Sequence, residues 1–281
     1  MMRALEREVT DAVWSTIEPM LPTPPAKRRG RPRKPDRDVF LAIMWRLVLG
    51  CSWETVECLL DYRVSDTTIR ERRDEWIAAG VFDRLINQAI FAFDRIVGLE
   101  LSHAAVDGSL HKAPCGGEGT GPNPCDRGKR GWKWSILTEQ NGIPIGFAID
   151  GANRQDMKMI DDTLTDTDRL LLVREIGELH LDRGYDNQMV RDVCAGHGLV
   201  DLDIARKRKP GRRGTKTRAP RQKVGQRWVV ERSNSWLSNY GQLRRNTDRA
   251  SHHRRAQLQL ACAFIITIKL IAYRDRWSNF R

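Results

Sequence analysis

The chain has 281 residues, 40% of them hydrophobic, and carries 48 Lys+Arg against 36 Asp+Glu for a net charge of +12. The apolar content suffices for one large domain or two ordinary ones. The charge excess favours a polyanionic partner, nucleic acid or an anionic membrane, over a neutral one. The most apolar stretch, 258–274, is interrupted by Lys269 and is short for a membrane span, so it reads as a buried C-terminal helix. The charged start has no apolar signal core, and the six scattered cysteines form no disulfide framework. A reducing, cytoplasmic setting is expected.

The first distinctive segment is "KRRGRPRKPDR", 27–37. Arg29, Arg31 and Arg33 lie on a proline-stiffened backbone, an arm resembling an AT-hook, suited to a narrow A·T minor groove. A charged linker is the plain alternative. Residues 38–98 read as helices. One spans 38–50 and ends at Gly50, and a second spans 52–60 behind a capping Ser52. A third, 65–80, opens at Ser65, with Val64 and Ile69 at the hydrophobic-staple positions. The third helix carries Arg70, Arg72 and Arg73. A short helix, a turn and a basic helix form the helix-turn-helix pattern. A three-helix bundle with a solvated basic face fits equally well; the net charge and the neighbouring arm favour DNA.

Strands follow. "LSHAAVDGS" (101–109) ends in Asp-Gly, and the Gly/Pro-rich 112–131 reads as a loop. Residues 131–139 and 143–150 alternate around "QNG", a hairpin signal. Then come a helix (156–172), a strand (177–182), a helix (187–195) and a strand (199–205). A basic loop (206–223) and helices at 225–240 and 252–275 complete the order. This is an α/β chain with a mixed sheet. Within the basic loop, Arg206, Lys207 and Arg208 begin a phosphate-contacting strap.

Phosphodiester chemistry with divalent cations needs carboxylates converging on one point. Asp107, Asp150, Asp182, Asp186, Asp203 and Glu231 are candidates. Asp107 and Asp182 are placed at strand ends, where α/β sheets bind ligands. Gly108 after Asp107 leaves room for a backbone or phosphate. Taken singly, each aspartate reads as a turn or cap residue, and Glu231 with Arg227 four residues earlier reads as a surface ion pair. Asp186 is expected to cap the following helix. In the Glu231 helix, Val229, Val230, Trp236, Leu237 and Tyr240 form the core face, while Arg227 and Asn234 share a face with Glu231. Trp228 and Trp236 read as packing rather than base-stacking residues. His111, Cys115 and Cys125 have irregular spacing and no fourth ligand, which argues against zinc there.

"VDGS" (106–109), "DRGYD" (182–186) and "RWVVERSNSWL" (227–237), with 128–156 and 30–56, resemble the DDE insertion-sequence transposases of the IS-five type, within the IS-four/IS-five superfamily. The resemblance implies an RNase H-like catalytic domain (99–281) behind a helical DNA-binding domain (1–98). It implies Asp107, Asp182 and Glu231 as both catalytic residues and ligands of two Mg²⁺ ions, with Mn²⁺ as a substitute. It further implies double-stranded DNA as partner, cleavage and strand transfer at terminal inverted repeats, and pairing of ends by at least a dimer. The family's Tyr-Arg-Glu-Lys signature is matched only by Arg227 and Glu231, because Val224 and Ser238 occupy the other positions. Arg232, Arg244 and Arg245 are therefore the candidates for the basic contact to the DNA end. Two other classes are kept open: a DNA-binding protein with an inactive nuclease-like domain, and a nuclease without strand transfer.

Overall fold

The computed structural model describes residues 3–24, 32–205 and 227–278. Arg29 and Arg31 of the arm, and Arg206, Lys207 and Arg208 of the strap, lie outside the described residues.

The N-terminal part is helical: α1 (Arg7–Ile17), α2 (Asp36–Leu49), α3 (Trp53–Leu59), α4 (Asp66–Ala78) and α5 (Val81–Ile96). α2 buries Val39, Phe40, Ala42, Ile43, Met44, Leu47 and Val48, so it is apolar nearly all round and lies inside. It stops where Gly50 takes a left-handed φ of 69°. The expected caps form: Ser52 accepts the Thr55 N–H and Ser65 accepts the Thr68 N–H. Val64 and Ile69 are both fully buried, as a hydrophobic staple requires. α5 buries Val81, Phe82, Leu85, Ile86, Ala89, Ile90 and Phe93 along one stripe. Sequence reading missed α1 and did not delimit α5.

Then follow β1 (His103–Lys112), β2 (Gly121–Pro122), β3 (Arg130–Glu139), β4 (Pro144–Gly151), α6 (Ile160–Asp168), β5 (Glu178–Leu181), α7 (Gln188–Gly196), β6 (Leu202–Ile204), α8 (Trp228–Ser238), α9 (Gly241–Arg244) and α10 (Ser251–Ser278). The sheet runs β2-β3-β1-β5-β6, with β4 also on β3. β1, β3 and β4 are antiparallel; β5 and β6 join in parallel. α8 lies on one face and α6 on the other. The Trp134 indole reaches Asn234 of α8, while Ser135, pointing the opposite way, meets Thr163 of α6. This is a mixed α/β fold.

Two local expectations change. β1 does not end at Asp107; Gly108 to Lys112 stay paired with Ser135 to Gly131. What ends there is the parallel neighbour, whose last registered pair is Ala105 with His180. The cap of α7 is Asn187, which accepts the Met189 N–H, while Asp186 pairs with Arg191 at 3.0 Å.

α10 is long and apolar enough to cross a membrane, yet 67% of its most apolar window is buried inside the protein. It packs against α5 and α1, closing the N-terminal helices with a helix from the far end of the chain. Its approach is anchored by Asp248, which takes Arg46 at 3.3 Å and Arg73 at 3.1 Å, with both guanidiniums above the Trp53 ring. Gln257 adds a hydrogen bond to the same carboxylate at 2.6 Å. A second junction lies close by. A Cβ on Gly50 would fall 2.7 Å from the Gly241 carbonyl carbon, and one on Gly241 would fall 2.7 Å from Leu49 backbone. Only paired glycines let the end of α2 touch the start of α9.

The ion cluster corrects one expectation. Arg73 serves Asp248, and Arg72, also buried, pairs with Asp36 and with Glu75 at 3.1 Å. Neither presents its charge to a partner; only Arg70 of the three is exposed. Burial by itself would push the Asp248 carboxyl up, but Arg46 and Arg73 more than offset this and hold it below the usual range. Its stabilising charge is therefore complete above the ordinary carboxylate pKa and is lost as pH falls through the depressed folded value. Asp248→Ala, which leaves two buried guanidiniums uncompensated, is expected to cost about 3–5 kcal/mol in urea unfolding at neutral pH. The gap between wild type and Asp248→Asn should narrow in acid.

Candidate active site

The site begins with strand register. β1 and β5 pair as His103–Glu178, Ala104–Leu179 and Ala105–His180. Two residues further along each chain stand Asp107 and Asp182, on the same face as Ala105 and His180. β5 has finished there, and its backbone turns through Arg183–Tyr185. Asp182 opens that turn by accepting the Gly184 N–H at 2.6 Å. A Cβ on Gly184 would come within 2.8 Å of the same oxygen, which explains the glycine. The structure thus shows Asp182 in its plain capping role, with its other oxygen left over.

Asp107 is held from above. The Asn234 amide donates to Asp107 Oδ2 at 3.0 Å, while its carbonyl accepts the Trp134 indole N–H at 2.8 Å. Glu231 lies one turn earlier on α8, a spacing that puts side chains about 5–6 Å apart on one helix face. Its carboxylate is largely exposed and has Arg227 at 3.5 Å. α8 is itself seated on the β3–β4 hairpin: Ser233 donates to Gly142 O at 2.7 Å and Arg232 to Asn141 O at 2.6 Å. The buried Glu139 carboxylate closes that turn by accepting the N–H groups of Glu100, Asn141 and Ile143. The hairpin therefore sets the height of Glu231 and Asn234 over the sheet.

A further carboxylate, Asp156, stands next to Gly108. A Cβ on Gly108 would fall 2.0 Å from Asp156 Oδ1, so the space this glycine leaves is filled by Asp156 rather than kept for a phosphate. Buried Lys133 holds Asp156 at 2.6 Å and caps the Arg154 carbonyl at 2.9 Å. Burial pushes Asp107 up to about 6, reinforced by the Asp182 and Asp156 charges and opposed by hydrogen bonds from Gly108 and Asn234. Burial, then the same three aspartates, raises the Tyr185 phenol well above its ordinary value. Carboxylates crowded this way are short of positive charge. Their hard oxygen donors suit Mg²⁺ or Mn²⁺.

Other predicted residues separate from this centre. Asp150 pairs with Arg154 at 3.4 Å and Asp203 with His180 at 3.0 Å. Arg33 is engaged by Glu75 at 3.1 Å and Asp36 at 3.5 Å. Arg232 is stacked over Trp228 at 4.4 Å and Trp236 at 4.8 Å, which makes it a packing residue as well as a hairpin clamp. Arg244 and Arg245 are exposed. Arg245 joins Arg70 and Arg249 around an open cleft of about 710 Å³ whose floor holds Arg46, Arg73 and Asp248. His111 stacks on Trp134 at 3.6 Å and burial pushes it down to about 3, while Cys115 and Cys125 are exposed free thiols. No zinc set assembles from these three.

Sequence reading did not single out Asp156, Lys133 or Tyr185, nor the Asn234 bridge. The available signal was Asn234 sharing the Glu231 face; the other three are joined only by the fold.

A family described as "Putative transposase of IS4/5 family" matches residues 9–86, and "Transposase DDE domain" matches residues 98–267. The "Putative transposase for insertion sequence element IS402" of Burkholderia cepacia is 32% identical over 155 residues, covering 52% of this chain and 67% of that protein. An uncharacterized 16.2 kDa protein of the IS402 insertion element, from the same organism, is 33% identical over 119 residues, 41% of this chain and 80% of its own. Among solved structures, the Mos1 mariner paired-end complex with Mn shares 12% identity at a TM-score of 0.27, over 63% of this chain and 61% of that one. A pre-cleavage Mos1 transpososome shares 10% at 0.30, over 87% and 81%. Matched to the transposase DDE domain over more than half its length, the chain belongs to the DDE transposase family and is an insertion-sequence transposase of the IS4/5 type.

Proposed function

We propose that the chain cuts and joins double-stranded DNA at the terminal inverted repeats of its element, with Asp107, Asp182 and Glu231 as the catalytic carboxylates. The observation that carries this reading is the Asn234 bridge, which ties Asp107 to the helix bearing Glu231 beside the strand end bearing Asp182. Asp107, Asp182 and Glu231 would hold two Mg²⁺ ions, or Mn²⁺ in their place, which when bound would neutralise charge at the attacking and leaving oxygens. The chain's own residues do the positioning. Asn234 fixes one Asp107 oxygen and leaves the other for a ligand. Arg227 steers Glu231 or a substrate phosphate. Lys133 offsets the Asp156 charge. Hydrolysis forms a bond from water oxygen to phosphorus and breaks the phosphorus–O3′ bond, releasing a 3′-OH; that 3′-OH then attacks a target phosphodiester, forming a new P–O3′ bond as the target's own P–O3′ bond breaks and its 3′-oxygen leaves as a 3′-OH. No protein nucleophile is required.

The residues 1–98 are proposed as the DNA-recognition unit and 99–281 as the catalytic unit, in keeping with the family matches that divide near residue 98. Arg70 at the end of the cleft, with Arg245 and Arg249, offers three exposed cations to one backbone. Pairing of two element ends by at least two copies, in the cytoplasm on the nucleoid, completes the proposal.

A strand-transfer assay with labelled element ends and Mg²⁺ tests it. Asp182→Ala should abolish both cleavage and joining; activity surviving in that variant sinks the assignment. Cleavage without joining by the wild type would favour a plain nuclease, and end binding with neither would favour an inactive binding protein. Asn234→Ala, which removes an outer partner of a ligand, should lower the cleavage rate about 10–100-fold with end binding unchanged. Arg245→Ala and Arg249→Ala should each weaken binding across all DNA sequences and reduce the slope of log K against log salt by about 1.

A further inference from the structure

A second set of ligand atoms lies on the same face of the sheet, toward the start of the same two strands. The β1–β5 register sets His103 opposite Glu178, and His180 follows Glu178 by two residues, so all three side chains rise from one face. His103 Nδ1, His180 Nε2 and Glu178 Oε2 form a triangle. Its edges are 3.1 Å between the two imidazoles, 3.3 Å from His103 to Glu178 and 3.5 Å from His180 to Glu178. Tetrahedral zinc, with bonds of about 2.0–2.1 Å, needs ligand atoms about 3.3–3.4 Å apart.

The hydrogens are arranged for an ion as well. His180 Nδ1 lies 3.0 Å from Asp203 Oδ2, on β6 at the position registered with His180. An ionised carboxylate only accepts, so Nδ1 carries the hydrogen of that bond, and Nε2 is the ring atom that faces the triangle. A carboxylate behind a metal-binding imidazole is the usual outer support of such a site. His180 is buried, while His103 and Glu178 are partly exposed, leaving an entry path and an open fourth position.

We propose that His103, His180 and Glu178 bind one zinc-class divalent ion, with Asp203 holding the His180 tautomer. Two imidazoles and a carboxylate select a borderline ion over Mg²⁺, whereas the carboxylates at Asp107 and Asp182 select the reverse. The ion clips β1 to β5 ahead of the two strand positions that carry the aspartates. It is separate from the catalytic carboxylates: Asp182 stands two residue steps, about 6.6 Å of extended chain, beyond His180.

The test uses the full chain with Asp107→Asn and Asp182→Asn, so that the carboxylate centre does not report, and zinc alone as the probe. Calorimetry should give one zinc per chain, retained in excess Mg²⁺, and Co²⁺ in its place should show the intense visible absorption of a tetrahedral site. Adding Asp203→Asn should weaken zinc about 10–100-fold. Adding His103→Ala or Glu178→Gln, both at partly exposed positions, should weaken it further, with circular dichroism unchanged. Zinc bound with undiminished affinity after His103→Ala, or no stoichiometric zinc in the parent double variant, overturns the proposal.

Discussion

The site hangs on a very short stretch of parallel pairing. Three registered pairs join β1 to β5, and the placing of Asp182 beside Asp107 depends on them. Because a strand alternates faces every residue, a slip of one would turn Asp182 and His180 to the far side of the sheet together. β1 is held on its other edge by nine registered pairs with β3, so it acts as the fixed rail against which β5 is set. The different lengths of the two pairings also explain why a gap opens at Asp107. β1 continues with one partner after the other has turned away.

The helix that carries Glu231 is seated by a different route. α8 follows a long basic segment in the sequence, yet its place over the sheet is set by the hairpin at Gly142 and by the Trp134–Asn234–Asp107 relay. A polar relay that is fully used, with the indole giving to the amide and the amide to the carboxylate, has one low-energy arrangement. Lys133 does the corresponding work on the opposite face by fixing Asp156. The centre is thus assembled from strand register on one axis and from hydrogen-bonded side chains on the other.

Much of this was legible in the residues. Alternation around Asn141-Gly142 located the hairpin, capping serines located α3 and α4, and the resemblance named the three acids. Less legible were features that arise only across the sheet. Asp156 and Gly108 are far apart in sequence, and the Gly108 gap read naturally as room for a ligand. Basic residues on α4 looked equivalent, since sequence does not tell which arginine has a buried carboxylate awaiting it; Arg73 meets Asp248 from the other end of the chain. Register explains another feature that spacing does not show. Spacing along the chain was searched, around His111 and two cysteines, whereas His103, Glu178 and His180 come together only through register.

The contact between Gly50 and Gly241 has a consequence for reach. α2 leads directly into α3 and α4, and α9 follows directly from the Glu231 helix. Main chain meets main chain at the joint between them, so no side-chain rotamer or linker length intervenes. The span from the exposed arginine of α4 to the acidic centre is then a gauge cut into the backbone. The placing of α4 relative to α8 is then a property of the fold, changed by a single methyl group at either glycine.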